Sequence, residues 1–300
     1  ADATYEVFDN GFGGKDKLEN IEEIWGSSFG DVFVAGSGND TIYGQGGDDL
    51  FISSATSGEN YFFGGTKNVA SNDSGTISYS AYDHNGTLIG GITDDTHYIV
   101  GDLNSTKIDV YHTSDGNNPV KSDYIDGIKN LTGGAGNDTL TGKDGASSIL
   151  KGGAGADTLY GNADDNTLIG REGSDVFRGA DGADAFIGGI ATITAGVVSA
   201  NVDSSVDKVD YSSLSGGNGI VVDMNVSGEN DTTLEIGRVT NDGFGKVDTL
   251  YGIEHIIASN YVDNITGDSD DNVNNTFEGR EGSDIISGGS GADVLYGGYL

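Results

Sequence analysis

The sequence predicts an all-β fold, a parallel β-roll whose short strands stack coil upon coil. Three observations carry that expectation. A nine-residue phrase, Gly-Gly-x-Gly-x-Asp-x-apolar-x, stands unbroken at residues 133–141 (GGAGNDTLT), 152–160 (GGAGADTLY) and 288–296 (GGSGADVLY). The second half of each phrase is short and rich in Thr, Val, Ile, Tyr and Phe, as in DTIY, DTLT, DVFR and DVLY. No stretch keeps the 3.6-residue apolar period of a helix.

The frame extends well beyond the three perfect copies. A first cluster spans Gly26–Ile52, with Asp31, Asp40 and Asp49 in the sixth place. A second spans Gly133–Ile187 and holds six units, whose sixth places read Asp138, Ser147, Asp157, Asn166, Asp175 and Asp184, with Lys151 as one extra residue. A third begins near Ala258 and reads Asp263, Asn272, Asp284 and Asp293, with Val273–Asn275 inserted. The eighth place tests the frame independently. It holds Phe33, Ile42, Phe51, Leu140, Ile149, Leu159, Leu168, Phe177, Phe186, Ile265, Phe277, Ile286 and Leu295, all apolar.

A longer repeat encloses the clusters. Residues 15–24 (KDKLENIEEI), 122–131 (SDYIDGIKNL) and 247–256 (VDTLYGIEHI) each precede an array, aligning Leu18, Ile125 and Leu250, then Ile21, Ile128 and Ile253. Upstream of the last two lie ISYSAYD (77–83) and VDYSSLS (209–215). The expected organisation is therefore one continuous solenoid in three parts. Residues 1–60 end a first cassette, 61–190 are a second lead-in and six-unit array, and 191–300 are a third lead-in and array. The missing initiator Met and the mid-unit ending at Leu300 suggest a piece of a longer protein.

Charge bounds the chemistry. Lys and Arg number 14 against 48 Asp and Glu, a formal charge of −34. Nucleic-acid binding needs basic surface and is excluded. No apolar run approaches the ~20 residues of a membrane span, and without cysteine no disulfide or thiolate metal site can hold the fold. The acid is spread in register with 52 glycines. Like charges ~5 Å apart, the spacing of stacked strands, repel by about 3 kcal/mol at an effective dielectric near 20. A divalent cation between coils reverses that sign, so metal binding and folding become one event. Oxygen-only ligands favour Ca²⁺ over zinc or copper, and Mg²⁺ keeps its waters.

These arrays resemble the RTX (repeats-in-toxin) family of secreted bacterial proteins. The resemblance implies a right-handed parallel β-roll in which the first six residues of each nonamer bind Ca²⁺. It carries the metal role onto Asp31, Asp40, Asp49, Asp138, Asp157, Asp175, Asp184, Asp263, Asp284 and Asp293. Asn166 and Asn272 are oxygen donors in the same place, and Ser147 is the weakest position. The turn glycines that go with them are Gly36, Gly38, Gly133, Gly134, Gly136, Gly152, Gly153, Gly155, Gly288, Gly289 and Gly291. About ten ions are expected. The family also implies export through a one-step channel, unfolded in low-calcium cytosol and folding outside. The expected function is an extracellular structural module of a surface layer or adhesin. Its partners would be calcium, neighbouring modules of the same chain or cell-surface glycans. A carbohydrate- or receptor-binding adhesin module, and the C-terminal part of a secreted hydrolase or epimerase, are the alternatives.

Sharper readings give way to plainer ones. GSSFG (26–30) fits a nucleophile elbow but is read as a nonamer turn, so no enzyme is expected. DSDDNVNNTFE (268–278) lacks the EF-hand glycine. His84, His97, His112 and His255 read as surface scatter, with no His-Glu-x-x-His spacing. The paired acids 48–49, 94–95 and 164–165 point to opposite faces of a strand, which does not suit a glycosidase pair. Trp25 and Tyr61-Phe62-Phe63 read as caps on a solenoid core rather than a sugar platform. The third places, such as Ser37, Gly46, Ala135 and Glu172, form no regular ice-binding row.

Overall fold

The computed structural model describes residues 4–7, 16–19, 21–53, 58–65, 75–80, 96–114, 118–194, 197–201, 205–215, 218–225, 236–269 and 273–298. For 4–7, 16–19, 191–194, 197–201 and 236 it describes the backbone only. All regular structure among them is strand, mostly of three residues. The chain divides into two compact units, residues 1–155 and 156–300.

In the first unit, strand Val32–Val34 pairs in parallel with Leu50–Ile52, and that with Gly75–Ser78. On the other wall, Glu23–Trp25, Thr41–Tyr43 and Tyr61–Phe63 pair in parallel in the same way. Phe33 faces Phe51 one coil on, their rings stacked 5.7 Å apart, and Phe51 meets Phe62 at 5.4 Å. In the second unit, Leu159 faces Phe177, Leu168 faces Phe186 and Phe277 faces Leu295. The repeat is thus one coil per two nonamers. The residue before each strand points inward, the next outward, and the eighth-place residue inward again. Eighth-place Phe33, Ile42, Phe51, Leu140, Leu159, Leu168, Phe177, Phe186, Ile265 and Phe277 are all buried and line the core. Ile286 is half-buried and Leu295 exposed, in strands on which no further described strand stacks.

One frame assignment is corrected. Ile149 is 36% exposed, whereas Leu150 is fully buried and faces Leu131. The extra residue therefore lies in the turn before the strand, not at Lys151. Ser148, not Ser147, fills the sixth place, buried and accepting from the Lys143 amide at 2.9 Å. In the third array Ile256 faces Phe277 and Ile265 faces Ile286, so a three-residue insertion is present. It precedes Asn275, which stands directly before its strand in the sixth place. Asn272 lies outside the described residues.

The lead-ins are antiparallel meanders let into one wall. In the first unit, His97–Asp102, Lys107–His112 and Pro119–Asp126 pair antiparallel in succession. The outer two join the roll in parallel, to Thr139–Thr141 and Tyr61–Phe63. In the second, Val221–Asp223, Ile236–Asn241 and Asp248–Tyr251 do the same, joining Asn264–Thr266 and Ala185–Ile187. The aligned Ile125, Leu250, Ile128 and Ile253 are buried. Ile21 is exposed, and the Leu18 side chain is not described. Trp25 and Tyr61 do not cap the core: they are 47% and 41% exposed on the outer face, and only Phe62 points inward among Tyr61-Phe62-Phe63.

Second and fourth places of many nonamers take positive φ. Gly153 and Gly155, and Gly289 and Gly291, do so. So do Gln45, Arg171, Ala180 and Arg280, each in the second place. A side chain there costs about 1–2 kcal/mol. Ala180→Gly, which removes a strained methyl, should therefore raise the stability of the folded chain by about 1 kcal/mol, less the entropy glycine adds to the unfolded chain. Thermal unfolding in saturating calcium checks this, and a lowered midpoint would refute it.

Candidate metal-binding columns

The sixth-place side chains form columns along the coils. Most of these carboxylates send Oδ1 to a backbone N–H one coil before them. Asp31 N–H donates to Asp49 Oδ1 at 2.9 Å, Asp157 N–H to Asp175 at 2.8 Å and Asn166 N–H to Asp184 at 2.8 Å. Asp263 N–H donates to Asp284 at 3.0 Å and Asn275 N–H to Asp293 at 2.9 Å. Asp40, Asp49, Asp138, Asp157, Asp175, Asp184 and Asp263 are buried, while Asp31, Asp284 and Asp293 are half-buried. The paired acids behave as strand alternation requires at 48–49, where Asp49 is buried and Asp48 exposed. Residues 94–95 lie outside the described set.

The second oxygen, Oδ2, turns toward the glycine that opens its own turn. A Cβ added at Gly26, Gly44, Gly133, Gly170, Gly179, Gly279 or Gly288 would collide with Oδ2 of Asp31, Asp49, Asp138, Asp175, Asp184, Asp284 or Asp293. The first glycine is therefore room for a carboxylate. Glycines also let the turns close on one another: a Cβ at Gly153, Gly155, Gly182 or Gly282 would strike the carbonyl oxygen of Gly134, Gly136, Asp164 or Tyr261. At the predicted Gly38, the carbonyl accepts from Gly58 N–H at 3.1 Å.

Some of these oxygens are left with no donor. Oδ2 of Asp184 and of Asp284, and Oδ1 of Asn275, are buried without a hydrogen-bond partner among the described residues. Leaving buried acceptors unmet is costly, and a buried unpaired charge more so. Burial drives the Asp184 carboxyl up to about 8, with Asp248 and Asp165 adding to it. Burial also lifts Asp138 to about 7, against hydrogen bonds from the Gly134 and Ile99 amides at 2.7 Å each. Asp263 is raised by burial too, though it accepts from Ser259 Oγ and the Ile220 amide.

A hard cation fits this arrangement. The donors are carboxylate and carbonyl oxygens, with glycine where a side chain would fill the space. Among the described residues no three His, Asp or Glu side chains converge on one point. Each ion would therefore draw on one column carboxylate and on turn carbonyls, Asp184 with the turn opened by Gly179 being one instance. Asn166 differs from the carboxylates. Its Nδ2 donates to Asn162 Oδ1 at 3.1 Å, closing its own turn.

The columns also run through residues outside the nonamer frame. Asp207 accepts from Asp175 N–H and Asp248 from Asp184 N–H, at 2.8 and 2.9 Å. Asp123 accepts from Asn60 N–H at 2.9 Å, and Asn60 from Asp40 N–H at 3.1 Å. The signal was present in sequence as Asp-x-apolar without a glycine close before it: Asp207-Lys-Val209, Asp248-Thr-Leu250 and Asp123-Tyr-Ile125, although Asp207 Oδ2 faces Gly188, far back along the chain.

Other candidates resolve plainly. Ser27 of GSSFG donates Oγ to Asp31 Oδ2 at 3.0 Å, inside a nonamer turn. His97 and His112 face each other edge-on at 4.8 Å across the hairpin, closer than scatter implied, while His84 lies outside the described residues.

Two outcomes follow. Gly179→Ala places a methyl where Asp184 Oδ2 sits, so calcium affinity at that turn should fall about tenfold, ~1.4 kcal/mol. Chelator-competition titration reads this, and unaltered affinity would refute the glycine's role. The second outcome is in pH. Asp138, Asp184 and Asp248 have folded-state values of about 7, 8 and 7 against 3.8 for a free side chain. Between about pH 4 and 8 the folded metal-free chain binds more protons than the unfolded one, so its stability is greatest below pH 4 and falls as pH rises. In calcium-free buffer stripped over a chelating resin, strand signal by circular dichroism should be stronger at pH 4.5 than at pH 8, and the reverse trend would contradict the burial of these acids.

Comparison with known proteins agrees with this chemistry. The family model for four copies of the RTX calcium-binding nonapeptide repeat matches residues 25–55, 130–149, 144–177, 160–190 and 271–298. No curated protein aligns significantly with the chain.

Proposed function

The chain carries RTX calcium-binding nonapeptide repeats in a parallel β-roll, and from that premise we propose that it is an extracellular structural module whose folding is switched on by calcium. It would belong to a secreted or cell-surface protein, such as a surface layer or an adhesin, and fold after export. The observation that carries this is the buried Oδ2 of Asp184 and of Asp284, each without a donor among the described residues. A chain so built holds its charge apart in calcium-poor cytosol and closes outside the cell, where calcium is abundant. No helix among the described residues is long and apolar enough to cross a membrane.

We read the module as non-catalytic. Support comes from Ser28, which holds the nucleophile place of GSSFG but stands exposed in a nonamer turn, with no helix after that turn among the described residues. A role as the C-terminal part of a secreted hydrolase or epimerase would need a catalytic domain elsewhere.

One observation favours a second reading, glycan binding at the lead-in of the first unit. Trp25, Tyr43 and Phe63 form a row, Trp25 tilted against Tyr43 at 4.5 Å and Tyr43 stacked on Phe63 at 4.7 Å, and Tyr61 stacks on Tyr124 at 4.5 Å. A groove of about 440 Å³ beside them is lined by Phe63, Tyr124, Asn104, Thr106, Asp126 and Lys143. Aromatic faces next to amide, hydroxyl and carboxylate groups suit a sugar. Glycan-array binding lost in Tyr124→Ala would support this, and binding absent from the unaltered chain would remove it.

The main reading is tested by titrating calcium into the chelated chain and following strand formation by circular dichroism. Cooperative folding should occur between cytosolic and millimolar extracellular calcium, with no equivalent response to Mg²⁺ and full reversal by EGTA. A response shared equally by Mg²⁺ would contradict it.

A further inference from the structure

The lead-ins of the two units, around residues 61–130 and 191–251, build the same buried node and neutralise it differently. In the first, Tyr79 donates its hydroxyl to Asp123 Oδ2 at 2.8 Å. In the second, Tyr211 donates to Asp248 Oδ2 at 2.7 Å. Both carboxylates are buried, both belong to the Asp-x-apolar columns, and both tyrosines come from the matched segments ISYSAYD and VDYSSLS.

At the first node the protein supplies its own cation. Lys121, two residues before Asp123, lies buried with Nζ 2.9 Å from Asp123 Oδ2 and donating to Ser53 Oγ at 2.9 Å. Ser53 Oγ in turn donates to Asp123 Oδ2 at 2.6 Å. One carboxylate meets one ammonium, and the charge closes. Removing one partner of such a buried pair leaves an uncompensated charge, the costly case.

At the second node the balance is inverted. The residue two before Asp248 is Lys246, which is exposed. A second fully buried acid, Asp242, stands nearby instead. Its Oδ1 accepts from the Phe244 and Lys246 amides at 2.9 and 2.8 Å, while its Oδ2 is buried with no donor. Asp242 opens the turn that leads into Asp248: its N–H donates to the Lys246 carbonyl at 3.3 Å, and Asp248 pairs with Val239 on the strand that Asp242 follows. Beyond burial, the charge of Asp242 adds to the upward shift of both Asp248 and Tyr211. Neither Asp242 nor Asp248 has an ion-pair partner among the described residues. Nor does the matched RTX repeat cover residues 191–270.

We propose that Asp242, together with Asp248, holds a calcium ion outside the nonapeptide arrays, doing at this node what the Lys121 ammonium does at its counterpart. The ligands are oxygens only, which selects a hard cation. Two carboxylates with carbonyl and water oxygens are a sufficient set for calcium. The site would tie the Asp242–Asp248 turn to the end of the meander, so that the lead-in takes part in calcium-driven closure along with the arrays. This inference rests on the calcium reading of the arrays.

The test counts ions on the full chain. Native mass spectrometry at saturating calcium should find one ion fewer in Asp242→Asn than in the unaltered chain, with Asp223→Asn, an exposed acid of the same meander, unchanged. The same count in Asp242→Asn as in the unaltered chain would overturn the proposal. A second measurement needs no variant: crystals of the unaltered chain grown with calcium or a lanthanide should give an anomalous peak within bonding distance of Asp242 Oδ2. Peaks in the nonapeptide turns but none at Asp242 would overturn this site alone. Peaks at neither would overturn the array reading as well.

Discussion

The fold depends on one repeated conflict: carboxylates stacked one coil apart in a dry interior. Asp49, Asp138, Asp175, Asp184, Asp284 and Asp293 each spend Oδ1 on a backbone amide of the preceding coil, which fixes the register, and turn Oδ2 into the space left by a glycine. That arrangement is coherent only with positive charge between the coils. The apolar half of the repeat is modest by comparison, one Phe, Leu or Ile per nonamer facing its neighbour along a narrow core. Glycine and aspartate, the residues least suited to a strand, therefore sit where the coil turns, and the strands between them need only three residues.

The lead-ins show how the same roll can be held with less metal. Their meanders enter one wall without breaking the columns, because Asp123, Asp207 and Asp248 keep the sixth-place hydrogen bond. At Asp123 and Asp248 tyrosine hydroxyls fill the space that Oδ2 faces, while Asp207 keeps the room left by Gly188. A partly exposed ion pair does similar work at the surface, where Arg178 contacts Asp210 at 2.6 Å. Burial would raise the Asp210 carboxyl, but hydrogen bonds from Ser212 and the guanidinium outweigh it and hold it below the ordinary range.

Much of this was legible in the sequence, and the misplacements are physical. Period nine in glycine, aspartate and an apolar residue specified the parallel stacking and the identity of the column acids. Counting residues could not tell which side of a turn absorbs an extra one. At Ile149 and Leu150 two apolar neighbours compete for the core, and alternation along the strand settles it for Leu150. At the third array the choice between Asn272 and Asn275 depended on where the loop is slack. The lead-in acids were missed because no glycine stands at the nonamer spacing before them: Asp123 and Asp248 meet tyrosine instead, and Gly188, which faces Asp207, lies 19 residues earlier, leaving only Asp-x-apolar, a pattern too short to stand out. Trp25 and Tyr61 looked like core caps because aromaticity alone does not say which face of a strand a residue occupies.

Small-angle scattering of the chelated chain at neutral pH tests the central claim most directly. A chain whose interior requires bound cations should expand toward the radius of gyration of about 60 Å expected for 300 unfolded residues, and contract sharply when calcium is restored. A metal-stripped chain that kept the dimensions of its calcium-loaded form would contradict the account.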